Sequence, residues 1–222
     1  LGLPLTAFVE GRFFESRQAL CTMLIERDVE VELHCYDHGT SGDTPALLER
    51  SIKAYTDFRG ILPLGYRAHT YRLGKGLCRA LIDNGLKWDS SILPALGQGG
   101  NFKGQFRSGD YLIFDDALVE FPIASWQRIP LPLNHSYRLL IKPFGEAVLR
   151  YIDKPGALVT YNMHMVDLVH CRSLQDANLP VLVKLLYQYM WSGNRKDTFA
   201  SLRDVVSYLR DLDYSFSRVD AL

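Results

Sequence analysis

Strand-like apolar runs alternate with helix-period segments at least four times along this chain, and that alternation restricts its fold more than any other feature. Leu5 to Val9 (LTAFV) is a short run rich in strand formers. Helical spacing follows from Glu15 to Arg27, with Ala19 and Met23, and Leu20 and Leu24, on neighbouring turns. Asp28 to Leu33 then alternates: Val29, Val31 and Leu33 share one face, and Glu30, Glu32 and His34 the other. Thr44 reads as the N-cap of the next helix, with Pro45 at its first position and an end near Phe58. Ile61 to Tyr66 is a third apolar run. Gly76 to Asn84 places Leu77, Ala80 and Leu81 at helical spacing, and Gly85 suits the left-handed residue past a helix C-terminus. Leu86 to Trp88 reads as a brief strand.

The texture changes at residues 94–133, a Gly- and Pro-rich insertion in which YLIFDDALVEFP predicts a hairpin turning at Asp115 and Asp116. Helices are expected near Pro143 to Tyr151, Leu179 to Met190 and Thr198 to Arg210, the last with Phe199, Leu202, Val206 and Leu209 as its apolar stripe. Ala157 to Met163 (ALVTYNM) is expected as a strand. The whole predicts one α/β unit over residues 1–222, built on a parallel sheet or barrel whose chemistry sits on loops after the strand C-termini.

Composition narrows the ligand. With 25 Lys and Arg against 25 Asp and Glu and a pI near 7.2, nothing favours nucleic acid or an anionic membrane surface; a small or neutral ligand fits better. Cys21, Cys35, Cys78 and Cys171 are too scattered for a zinc ribbon or a disulfide framework. Reduced thiols, and with them a cytoplasmic address, are expected. No apolar run reaches the roughly 18 residues of a transmembrane helix. The chain opens with LGLPLTAF, not methionine, so further sequence can lie upstream.

The stretch ELHCYDHG, residues 32 to 39, carries the strongest chemical signal. Fully extended, His34 and His38 would lie about 13 Å apart, at roughly 3.3 Å per residue, too far to share a metal. A helical turn after Leu33 would bring their Cβ atoms to about 5 to 6 Å, close enough for two imidazoles to close on one divalent ion. In the alternative reading one histidine caps the loop and the other is solvated, and H-x-x-x-H alone does not choose between them.

Read in order, LPLTAFVEG, VEVELHCYDH, PLGYRAHTYR, ALIDNGLKWDSSILP, LVEFPIAS and VTYNMHMVDL resemble successive blocks of the polysaccharide deacetylase (NodB-homology) family. The resemblance runs over about residues 1 to 170. It implies a distorted (β/α) barrel, apparently without its first strand in this chain, and a zinc-dependent hydrolase that deacetylates an N-acetylated carbohydrate. It further implies His34 and His38 as metal ligands, His164 as the general acid, and Arg67 as the arginine that orients the catalytic carboxylate. The family's opening T-F-D-D strand, which carries the base and a metal aspartate, would precede Leu1. The similar IFDD at Ile113 to Asp116 falls too late in the order and belongs to the hairpin.

Two positions depart from the family pattern. His69 stands where R-x-P has proline and is expected to pack or cap its loop, ahead of the alternative that it is an additional ligand or proton carrier. Cys35 stands where the metal motif has Ser or Thr and is expected as a small buried side chain. Asp89, Ser90 and Ser91 should end a strand and hold a loop. Tyr36, Tyr71, Trp88 and Trp126 are candidate sugar-stacking surfaces, though such residues are more often core. Asp37 and Asp167 are candidates to orient a neighbouring histidine, and His135 and His170 read as structural. Outside the deacetylase reading stand a non-catalytic carbohydrate-binding or scaffold domain and a hydrolase of non-sugar amides.

Overall fold

The computed structural model describes residues 2–39, 43–94, 111–126, 131–132, 134–135, 158–164, 181, 185 and 198–221. The alternation in the sequence becomes β1 (Thr6–Val9), α1 (Gly11–Ser16), α2 (Gln18–Glu26), β2 (Glu30–Leu33), α3 (Pro45–Arg59), β3 (Gly65–Tyr66), α4 (Lys75–Asp83) and β4 (Trp88–Asp89). A hairpin follows, β5 (Leu112–Phe114) and β6 (Leu118–Glu120). One mixed sheet has the order β1-β2-β3-β4-β6-β5, parallel except for the β5–β6 pair, and it is open among the described residues. A separate pair, β7 (Ser125–Trp126) and β8 (Leu131–Pro132), is antiparallel. Toward the C-terminus lies α5 (Thr198–Asp211).

The helices pack on one face of the sheet because the apolar residues of the parallel strands point there. Val9, Val31, Leu33 and Tyr66 join Phe14, Cys21, Leu48, Ile52, Tyr55 and Leu81 in the main core. Gly11 sits where α1 meets α3: a Cβ there would fall 2.7 Å from Ser51 Oγ, so any side chain would push the helices apart. Helix α3 has the expected ends. The Thr44 hydroxyl accepts the N–H of Leu47, Pro45 opens the first turn, and Gly60 closes the helix at φ 71°. The hairpin turns through the three residues Asp115, Asp116 and Ala117, with Asp115 and Asp116 both at positive φ (47° and 52°) and the Ala117 N–H bonded to Phe114 O.

Several expectations need correction. The helix expected from Glu15 to Arg27 is two helices broken at Arg17 (φ −137°, ψ 39°), and its buried residue is Cys21, with Leu20 and Met23 largely exposed. Only Gly65 and Tyr66 of the third apolar run are strand. Pro63 offers no N–H to a ladder, and the Glu32 carboxylate takes the N–H groups of Leu64 and Gly65. On α5, Leu202, Val205, Val206 and Leu209 are buried while Phe199 is 52% exposed, so the stripe runs through Val205 instead. Of the strand expected at Ala157 to Met163, the described residues show one bridge, Asn134 to Asn162, with the N–H of Ala124 bonded to Thr160 O. The helix near Pro143 to Tyr151, most of Leu179 to Met190 and the central insertion, 95–110, lie outside the described residues.

The described cysteines Cys21, Cys35 and Cys78 are free and buried. No described helix is long and apolar enough to cross a membrane.

The polar face of β2 is buried as well. Glu30 is held by the Thr6 hydroxyl and by the backbone N–H groups of Val219 and Asp220, which fastens the C-terminal turn to the sheet edge. Burial pushes Glu32 up to about 7, with nearby Glu30 adding to the effect against the two N–H groups it accepts. A carboxyl raised in the folded state keeps a proton that the unfolded chain has lost, so it stabilises the fold at low pH, and that stability disappears as pH rises from about 4.5 to 7. Glu32→Gln is therefore expected to raise stability at pH 8 by about 2 kcal/mol and to change it little at pH 5, as read from denaturant midpoints at the two pH values.

Candidate functional site

His34 leaves β2 in ladder geometry, its N–H bonded to Val9 O at 2.9 Å. The next two carbonyls, of Cys35 and Tyr36, accept the N–H groups of Gly11 and Arg12, so the chain is laid across the start of α1. The Asp37 carboxylate then accepts the N–H of Gly39 at 2.7 Å. This side-chain turn, not the helical turn expected, folds His38 back over His34. Their Nε2 atoms lie 2.6 Å apart and their ring centroids 4.7 Å.

Strand register brings in the third imidazole. Leu33 pairs with Tyr66, which sets His34 beside Arg67 and carries His69 to the same edge of the sheet. The Arg67 carbonyl meets His34 Nδ1 at 2.5 Å. A carbonyl only accepts, so this hydrogen bond assigns the proton to Nδ1 and leaves the Nε2 lone pair on the side of His38. Burial, reinforced by His38, Arg67 and His69, pushes His34 down to about 3 and keeps it neutral. His38 is also lowered, mainly by burial, with Glu10 opposing and His69 and His164 reinforcing.

His69 lies on a 3-10 turn and is anchored through its backbone. Its N–H bonds Asp43 Oδ2 at 2.8 Å, while Asp43 Oδ1 accepts the Tyr66 hydroxyl at 2.7 Å. Its ring centroid is 4.6 Å from that of His38 and 6.4 Å from that of His34, and Cys35 Sγ is 3.8 Å from its Nδ1. One donor atom each from His34, Cys35, His38 and His69 falls within 4.8 Å of the others. The packing role expected for His69 thus understates its position, and Cys35, buried as expected, also lies inside the cluster.

These residues fit a divalent ion of the zinc type. Three of the four residues offer an imidazole nitrogen, a donor that suits zinc. Two nitrogens bound at 2.0 to 2.1 Å with a tetrahedral angle stand roughly 3.3 Å apart, so the His34–His38 pair needs only a small ring rotation to open.

A second group of side chains adjoins the cluster. Arg67 is half-buried, with its guanidinium 4.0 Å over the Phe8 ring. It donates to Ser90 O, Ser90 Oγ and Asn162 Oδ1 at 2.7 to 2.8 Å. None of these three partners is a carboxylate. Asp89 and Glu120 reach it electrostatically, and burial still lowers its pKa. These two carboxyls are buried and hydrogen-bonded to each other. Burial pushes both carboxyls up, Glu120 well up because the Asp89 charge adds to burial, while hydrogen bonds from Glu120 and Ser91 oppose the rise at Asp89. Two carboxyls hydrogen-bonded to each other have one proton between them.

Ser91 and Ser90 hold loops, as expected. Ser91 Oγ donates to Asp89 and accepts the N–H of Ala68, and Ser90 Oγ donates to Phe121 O. Asn162 continues from Arg67 by donating to the Tyr71 hydroxyl at 2.5 Å, and that hydroxyl is 3.4 Å from Nε2 of the exposed His164.

Asn162 was not singled out in the sequence, and Tyr71, expected as a stacking surface, is instead placed with its hydroxyl between Asn162 and His164. Of the proposed stacking surfaces, Tyr36 lies 4.1 Å under the Arg50 guanidinium and donates to Glu15, and Trp88 is buried against Phe8 and Phe121. His135 is buried, with Nδ1 2.7 Å from the Tyr161 hydroxyl, in keeping with a structural role. The Trp126 side chain, Asp167, His170 and Cys171 lie outside the described residues.

No protein-family profile and no curated protein matches the chain. Solved structures do. A protein from Mycobacterium smegmatis assigned as a polysaccharide deacetylase aligns at 17% identity with a TM-score of 0.52, covering 93% of this chain and 65% of its own. Puue allantoinase aligns at 15% identity and 0.54, covering 98% and 66%. A protein from Pseudomonas aeruginosa PAO1 assigned as a polysaccharide deacetylase aligns at 14% identity and 0.52, covering 97% and 64%. The chain therefore has the α/β fold of the polysaccharide deacetylase type and spans just under two thirds of each of these proteins.

Arg67→Lys is expected to lower stability by about 2 to 4 kcal/mol, measured by urea denaturation, because an ammonium cannot reproduce the three hydrogen bonds and the stacking of a buried guanidinium.

Proposed function

We propose that this chain is a metal-dependent hydrolase of C–N bonds that removes acetyl groups from an N-acetylated carbohydrate. The observation that carries the reading is the 2.6 Å approach of His34 Nε2 and His38 Nε2 at the C-terminal edge of a parallel sheet, in a fold of the polysaccharide deacetylase type. His34 and His38 hold the ion, most suitably zinc. When bound, such an ion supplies polarisation of an acetamide carbonyl and acidification of water.

The residues around it divide the remaining work. His164 is exposed and close enough to His38 to lower its pKa, so it can meet a substrate lying over the cluster. It acts as the general acid that gives a proton to the departing amine. Tyr71, held by Asn162, orients the His164 ring. Arg67 fixes Asn162 with its guanidinium and His34 with its carbonyl, so one residue aligns both the acid and a metal ligand.

Two observations favour other readings. The fold is shared with an allantoinase, which directs attention to non-sugar amides. The cluster contains no carboxylate among the described residues, which suits a domain that binds carbohydrate without cleaving it.

Acetate release from N-acetylglucosamine oligomers, measured with and without zinc, tests the proposal. Activity that is lost to a chelator, restored by zinc and reduced at least ~100-fold by His34→Ala or His38→Ala is expected. Hydrolysis confined to linear or cyclic amides would replace the substrate. Sugar binding with no hydrolysis of either class would overturn the enzymatic reading.

A further inference from the structure

We propose that His69 is a third protein ligand of the same ion, so that the centre is built from three imidazoles, His34, His38 and His69, with one coordination position left open. The inference rests on the metal-site reading above and deepens it by naming the donor set.

Ring placement is the first support. Nitrogen bound at 2.0 to 2.1 Å puts a ring centroid roughly 3.2 Å from the ion, so three tetrahedrally disposed imidazoles have centroids about 5 Å apart. The three separations here are 4.7, 4.6 and 6.4 Å, which bracket that value. Two further imidazoles stacked at random beside a loop would have no reason to share one centre with His34.

Outer hydrogen bonding is the second. A metal-bound histidine commonly commits its other ring nitrogen to a neighbouring group, which fixes the tautomer and the ring direction. His34 commits Nδ1 to the Arg67 carbonyl, and His69 has Nδ1 beside Cys35 Sγ at 3.8 Å. Nε2 is then the donor of both rings, as it is the atom of His38 that meets His34. In this arrangement the buried Cys35 orients His69 and is not itself a ligand.

Backbone anchoring is the third. Asp43 joins the end of β3 to the His69 turn through both carboxylate oxygens. Thr70 and Tyr71 complete the turn at φ 55° and 58°, a region that non-glycine residues, β-branched threonine above all, seldom occupy. The turn is thus held in the shape that presents His69 to the other two rings. Three imidazoles bind a divalent ion without a carboxylate, and the open fourth position is what a hydrolytic site requires.

Cobalt(II) titration of the 222-residue chain is the test, since its visible bands report coordination geometry and its near-ultraviolet bands report thiolate ligation. The wild-type chain is expected to bind one cobalt with a four-coordinate spectrum and no thiolate-to-cobalt charge transfer. His69→Ala should weaken binding on the order of tenfold or more, with circular dichroism unchanged. Cys35→Ser should keep the wild-type spectrum. His69→Cys gives a gain of signal, because a charge-transfer band absent from the wild type should appear.

Equal cobalt affinity and spectrum in wild type and His69→Ala would overturn the proposal while leaving the two-histidine site intact. A charge-transfer band in the wild type that disappears in Cys35→Ser would overturn the open position. Failure of the wild type to bind cobalt at all would remove the metal-site reading itself.

Discussion

The hydrogen bond between the Arg67 carbonyl and His34 Nδ1 is the interaction on which the site depends. It exists because β2 and β3 pair in parallel with Leu33 opposite Tyr66, which makes the residue after each strand a neighbour of the other. From that one contact the His34 tautomer follows, and with it the direction of the nitrogen that faces His38 and His69. Arg67 also reaches the other way. Its guanidinium grips Asn162, which positions Tyr71 beside His164, so a single residue links His34, 33 positions before it, to Asn162, 95 positions after it.

Such coupling requires ionisable groups in places where water cannot solvate them, and the fold handles each differently. Arg67 donates two hydrogen bonds to Ser90 and has an aromatic face beneath it. Asp89 and Glu120 share a proton, so a fully buried pair carries one negative charge near the arginine instead of two. Glu32 has two backbone N–H groups and is still raised to about 7, because burial outweighs two hydrogen bonds. His34 is resolved by staying neutral, the form in which imidazole donates its lone pair to a metal.

Local chemistry made much of this legible in the sequence. Thr44 and Pro45 announce the start of α3, Asp115 and Asp116 the hairpin turn, and the H-x-x-x-H spacing a pair that meets only if the chain turns. Features that depend on how distant segments meet were not legible. Nothing near His69 says that it will stand beside Cys35, since that follows from the β2–β3 register. Asn162 and Tyr71 carry no motif, and their roles arise from Arg67 reaching across the sheet edge. The break at Arg17 and the exposed Phe199 likewise reflect which helix face the sheet leaves available, a tertiary choice that periodicity alone does not make.

Anomalous diffraction at the zinc edge from crystals of this chain grown with zinc tests the account most directly. The account predicts one strong peak at the end of β2, within coordinating distance of His34, His38 and His69. A well-ordered site with no peak there, or a peak held by other residues while His34 and His38 remain hydrogen-bonded to each other, would contradict it.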